Sequence, residues 1–142
     1  MERRDFLRKA QLAGLGALCI STGSGLLMSC SSVKYVASQV EGDRLVISRT
    51  DVDAAPFVLV RNPTPGEAPI YLHRTIDGSF AAVLMLCTHQ GCRLNPAGAK
   101  LACPCHGSEF TPTGEVMEGP AEEPLHSYAV SEEADRVIIH LS

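Results

Sequence analysis

Of the six cysteines in this chain, four lie between positions 87 and 105, with one histidine among them and a second directly after the last. They form two short boxes, Cys87-Thr88-His89-Gln90-Gly91-Cys92 and Cys103-Pro104-Cys105-His106-Gly107-Ser108. Each box pairs one cysteine with a nearby histidine and adds a further cysteine. Structural zinc sites usually draw two cysteines from one knuckle and two histidines from another. Here each box offers both a thiol and an imidazole. The surrounding stretch, residues 87–121, is rich in Gly, Pro and Cys and carries few strand signals. A compact domain rarely keeps a long run of loops without a function or a fastening.

A mixed thiolate–imidazole donor set matches a [2Fe–2S] centre in which one iron takes two cysteines and the other takes two histidines. At these residues the chain resembles the Rieske iron–sulfur family. The resemblance covers residues 83–130 well and the flanking strands in outline. Beyond the boxes it rests on Gly107-Ser108, Gly114-Glu115-Val116, Gly119-Pro120, Pro124-Leu125 and Tyr128. It implies one [2Fe–2S] cluster, with Cys87 and Cys103 on one iron and His89 and His106 on the other. It further implies a disulfide between Cys92 and Cys105, which an exported protein can keep. The Ser108 hydroxyl is expected to donate to a bridging sulfide, and Gly119-Pro120 to shield the cluster. Neutral imidazoles in place of two thiolates remove negative charge, which eases reduction relative to an all-cysteine ferredoxin. Gly91 and Gly107 are expected to let main-chain N–H groups approach the sulfurs where a side chain would crowd them.

Three departures from the family pattern bear on function. Only 13 residues separate His89 from Cys103, so the Arg93–Ala102 connection is shortened. Phe110 stands where high-potential relatives often carry a tyrosine whose hydroxyl bonds a ligand sulfur, which implies a less positive potential. Gln90 stands where quinol-oxidising relatives carry an apolar leucine, which weakens the case for a quinol-docking tip.

The N-terminus reads as an address. Residues 1–29 begin with the basic segment MERRDFLRK, whose Arg3-Arg4 pair looks like a twin-arginine export signal, and continue into the apolar run Ala10–Met28. That run ends Leu26-Leu27-Met28-Ser29-Cys30, which resembles a lipoprotein processing site with Cys30 as the lipidated first residue. An uncleaved helical anchor is the alternative, since the run is long enough to span a bilayer although Gly14, Gly16 and Gln11 weaken it. Cys19 sits in a poor processing context. Residues 30–33 form a short tether and 34–142 the iron–sulfur domain. Either kind of anchor places the domain outside the cytoplasm, against a membrane.

The domain is expected to be all-β, a small antiparallel β-sandwich-like unit with a two-loop cluster-binding insertion. Strand patterns fall at 34–39, 44–48, 57–61, 70–75, 79–86, 125–130 and 136–141, with hairpins across Asp77-Gly78 and across residues 132–135. No helical periodicity and no internal repeat is visible. From Cys30 onward eight basic residues face fourteen acidic ones, and no basic block exists, so nucleic-acid binding is excluded as a function class. His73, His126 and His140 fall in strand patterns and read as surface or packing residues. Glu118, Glu122-Glu123 and Glu132-Glu133 read as a solvated face, with steering of a basic redox partner as the functional alternative.

These features point to a membrane-tethered, extracytoplasmic one-electron carrier of a respiratory chain, exchanging electrons with a cytochrome or another oxidoreductase subunit. One alternative is the iron–sulfur subunit of a bc-type quinol–cytochrome c oxidoreductase. Another is the small subunit of an exported molybdenum oxidase of the arsenite-oxidase kind. A Rieske oxygenase would need a further domain with a mononuclear iron site, and only 36 residues follow His106. A zinc module is the remaining competitor. The chain carries no complete active site of its own on this reading.

Overall fold

A computed structural model describes residues 33–142. The signal at 1–29, the lipidation expected at Cys30 and most of the tether lie outside the described residues. The described chain forms β1 (Tyr35–Val36), β2 (Gln39–Glu41), β3 (Arg44–Ser48), the short helix α1 (Arg49–Asp53), β4 (Phe57–Val60), β5 (Ile70–Arg74) and β6 (Phe80–Leu84). There follow β7 (Asn95–Ala97), β8 (Lys100–Ala102), β9 (Glu109–Phe110), β10 (Val116–Glu118), β11 (Ser127–Tyr128), β12 (Val130–Glu132) and β13 (Arg136–His140). They build three sheets in the orders β1-β4-β5-β6-β11, β12-β13-β3-β2 and β10-β9-β8-β7. All pairings are antiparallel except β1 with β4. The all-β expectation holds.

The first sheet is the middle of the domain. In β5 four consecutive residues, Ile70 to His73, are buried, and only Arg74 is exposed. Successive side chains of a strand point to opposite faces, so an unbroken buried run means that both faces are covered. On one face Ile70 and Leu72 join Val58, Val60, Phe80 and Ala82 against Leu45, Ile47, Val137 and Ile139 of the second sheet. On the other face Tyr71 joins Leu59, Val83 and Met85 against Leu101, Phe110, Leu125, Cys87 and Cys103. The expected insertion is therefore a third packed layer, and its two cysteines belong to that layer's core.

Both hairpins form where expected. Arg74 faces Phe80 across Asp77-Gly78, with Gly78 at φ 90°, and Glu132 faces Val137 across the second turn. Two expected strands are each divided between two sheets. Residues 34–39 supply β1 to the middle sheet and the start of β2 to the outer one. Residues 125–130 supply β11 beside β6 and then β12 beside β13. A continuous sequence pattern cannot reveal a corner at which the chain changes sheets. Four strands, β7 to β10, lie within residues 87–121, where few strand signals appeared. They have two or three residues each and include Pro96, too short for alternation to register. Helix α1 is missed for the same reason, since five residues barely exceed one turn.

His73 is 9% exposed and packs its ring 5.4 Å from that of Tyr71, which stacks on Phe57. Burial pushes its imidazole below the ordinary value, and the Ala81 carbonyl opposes this only in part. The unfolded chain therefore binds this proton more readily than the folded one. The domain should lose stability as pH falls below about 6.5, the ordinary histidine value. His73→Phe should flatten that part of the pH–stability curve in denaturant titrations. An unchanged slope would mean that His73 is not the group responsible.

Candidate metal centre

The two boxes form two copies of one turn. In the first, the Cys87 N–H donates to the Cys92 carbonyl at 2.8 Å and the Gly91 N–H to the Cys87 carbonyl at 2.9 Å. In the second, the Cys103 N–H donates to the Ser108 carbonyl at 2.8 Å and the Gly107 N–H to the Cys103 carbonyl at 3.1 Å. Gly91 and Gly107 take φ values of 71° and 82°, which L side chains adopt only with strain. A β-carbon at either would meet no protein atom within 4 Å. The turn's left-handed conformation, rather than crowding by protein, selects glycine. Cys87 corresponds to Cys103, Gly91 to Gly107 and Cys92 to Ser108, a match of backbone that the differing side chains obscure.

The loops bring thiol to thiol and imidazole to imidazole. Cys87 and Cys103 are both free and buried. Burial pushes the Cys103 thiol up, but the Cys105 N–H, the Cys87 side chain and the His106 N–H outweigh it and hold the group below the ordinary value. Such a site favours the thiolate, the form that binds metal. The His89 and His106 rings lie 5.0 Å apart and edge to face. His89 is half-buried and His106 exposed. Cys92 and Cys105 form a disulfide, with Cα atoms 6.5 Å apart, that ties the loops together. Their sulfurs and Cys103 Sγ all lie within 4.8 Å of one another. A disulfide offers no thiolate, so the donors left at the tip are Cys87, Cys103, His89 and His106.

A third segment closes over the loops. The Thr88 hydroxyl donates to the Glu123 carbonyl at 2.7 Å, and the Ala121 N–H donates to Ser108 Oγ at 3.0 Å. Gly119-Pro120, joined by a cis peptide bond, leads into this strap. No residue pattern announces the Thr88 or Ala121 contacts, because each uses a main-chain group common to all residue types. Phe110 is fully buried in the core that holds Cys87 and Cys103. Gln90 is exposed at the tip. The shortened Arg93–Ala102 connection is the β7–β8 hairpin, turning at Gly98 and anchored by the Leu86–Arg93 bridge.

Two features fit an iron–sulfur cluster and are costly without one. His89 Nδ1 is buried with no hydrogen-bond partner. Ser108 is fully buried, and among the described residues its hydroxyl proton meets no acceptor. Buried polar groups in native proteins are nearly always satisfied, and an iron and a sulfide would satisfy these two. An all-β domain with paired thiols and paired imidazoles at one tip has the makings of an iron–sulfur protein of mixed ligation.

Comparison with known proteins gives the family. Residues 33–129 match the Rieske [2Fe-2S] domain. The chain is 37% identical over 148 residues to the cytochrome b6-f complex iron-sulfur subunit of Chlorobaculum tepidum, covering 99% of this chain and 76% of that one. It is 33% identical to the corresponding subunit of Parasynechococcus marenigrum, covering 74% of this chain and 53% of that one. The crystal structure of the cyanobacterial plasma membrane Rieske protein PetC3 from Synechocystis superposes with a TM-score of 0.55 at 33% identity, over 65% of this chain and 93% of that one. This chain belongs to the Rieske [2Fe–2S] family, and its cofactor is a single [2Fe–2S] cluster.

The disulfide closes a loop with a sequence separation of 13. Replacing both partners, Cys92→Ser with Cys105→Ser, should lower stability by about 2–4 kcal/mol in chemical denaturation of the purified protein. A loss well under 1 kcal/mol would mean that the hydrogen-bonded turns hold the loops without it.

Proposed function

We propose that this chain is a membrane-tethered, extracytoplasmic Rieske carrier that passes one electron at a time in a respiratory chain. In this reading Cys87 and Cys103 bind one iron and His89 and His106 the other. The observation that carries it is the meeting of two free buried thiols and two imidazoles at one tip, beside two further cysteines already tied to each other. When bound, the cluster supplies reversible storage of one electron. The protein does the rest. Cys87 and Cys103 lie in the packed third layer and keep that side away from water. Exposed His106 gives a partner its nearest approach. Ser108 and the main-chain N–H groups around Cys103 favour the extra negative charge of the reduced state.

Membership of a bc-type complex as its iron–sulfur subunit is supported by the Chlorobaculum relative, which is named as a cytochrome b6-f subunit and aligns with nearly the whole chain. A freestanding carrier is the second reading. It is favoured by polar Gln90 at the tip. Either partner would meet an acidic surface. Glu118, Glu122 and Glu123 are exposed and make no ion pair among the described residues, whereas Arg44, Arg49, Arg74 and Arg136 are paired with acids elsewhere. Such a field draws in a basic partner such as a cytochrome. The Arg3-Arg4 signal and Cys30 support export and tethering.

Protein purified from membranes should contain two irons and two labile sulfides per chain and give a Rieske-type electron paramagnetic resonance signal, which His106→Ala abolishes. Stoichiometric zinc without sulfide would overturn the reading. Labelled palmitate should enter the wild-type chain and not Cys30→Ser, and equal labelling of both would remove the lipid tether. Co-purification with a cytochrome b would favour the complex, and isolation without one the freestanding carrier.

A further inference from the structure

The strap over the loops supplies none of the proposed ligands, yet its inner face bonds Ser108, the hydroxyl that would donate to a bound cluster. Ser108 Oγ is enclosed by protein and receives the Ala121 N–H at 3.0 Å. A hydroxyl has one proton and two lone pairs, and its proton rotates to suit its neighbours. A main-chain N–H can only donate, so Oγ must accept there and turn its own proton away from the strap. No acceptor among the described residues meets that proton. The Thr88–Glu123 bond holds the same strap down from the other loop, so the amide is kept in place.

We propose that the main-chain N–H of Ala121 is a positioning group for the Ser108 hydroxyl: by occupying a lone pair of Oγ it aims the proton at the cluster and so favours the reduced state. The inference rests on the site reading given above. Hydrogen bonds to a charged acceptor are roughly twice as strong as neutral ones, and the acceptor gains negative charge on reduction. A rotor fixed in the donating orientation delivers that difference in full. A free one spends part of its time pointing elsewhere. The strap's contribution to the potential therefore passes through one amide and one hydroxyl, although neither residue is a ligand.

The test is a double-mutant cycle on the cluster-loaded protein by protein-film voltammetry. Ser108→Ala should lower the reduction equilibrium constant about tenfold, which is 59 mV for one electron. Ala121→Pro, which removes the N–H, should lower it by part of that amount. The double variant should lie no lower than Ser108→Ala alone. Additive shifts would overturn the proposal, because they would mean that Ala121 acts on the cluster independently of Ser108. A second measurement does not depend on how well the proline variant folds. In hydrogen-exchange mass spectrometry, Ser108→Ala should release the amide protection of residues 119–123, and unchanged protection would overturn the bond. A purified chain lacking iron and sulfide would sink the site reading as well, whereas a loaded chain with additive shifts sinks the positioning role alone.

Discussion

Two turns, each returning a cysteine's main chain onto itself, are what the rest of the tip depends on. In both, the cysteine N–H and C=O are engaged within the turn, and a glycine at positive φ closes it. The Cys103 amide is consumed in closing its turn, which leaves the Cys105 and His106 amides free to face the Cys103 sulfur and favour its thiolate. The closing bonds and the sulfur-facing amides thus come from different residues of the same box. The disulfide and the strap then hold two turns that are already formed.

Those turns are rigidly placed because the middle sheet serves two cores. Its first face packs against the β3–β13 sheet and has nothing to do with the site. Its second packs Tyr71, Val83 and Met85 beneath Cys87, Cys103 and Phe110. Loop residues that carry chemistry are usually the mobile part of a domain. Here two of the site's cysteines are themselves core residues, so moving the loops would expose apolar surface at about 25 cal/mol per Å². Half-buried His89 and exposed His106 sit outside that core, and the division suits a carrier: one side of the site is fixed and dry, and the other is open to a partner.

The site was more legible than the scaffold. Cys87, His89, Cys92, Cys103, Cys105 and His106 stand out because sulfur and imidazole are scarce and chemically specific, and the structure brings them to one tip. The strands of the two-faced core were readable wherever they ran four residues or more, as at Ile70–Arg74 and Arg136–His140. The corners near positions 37 and 129 were not, since changing sheets leaves the apolar pattern intact. Strands β7 to β10 form because each finds a neighbour and because Leu101 and Phe110 are buried, both tertiary facts. The Ala121 amide was invisible for a simpler reason. Every non-proline residue has such a donor, and only the fold decides which one matters.

Three local features act on the ease of reduction, and their sizes decide their roles. Glu118, Glu122 and Glu123 oppose the gain of an electron. An exposed carboxylate one Debye length from a unit charge interacts by only about 0.5 kcal/mol in water before screening. A buried hydrogen bond to a charged group is worth about 1.5–3 kcal/mol. On the proposed site reading, Ser108 and the loop amides therefore outweigh the acidic surface. On that reading the potential follows from which hydrogen bonds the third layer provides. The acidic surface acts at longer range and on a different quantity, the rate at which a basic partner arrives. In the proposed reading, redox tuning and partner recruitment sit on the inner and outer faces of the same strap, Ala121 bonded to Ser108 and Glu122 and Glu123 exposed. Substitutions of the two glutamates can alter association without passing through the hydroxyl that favours reduction.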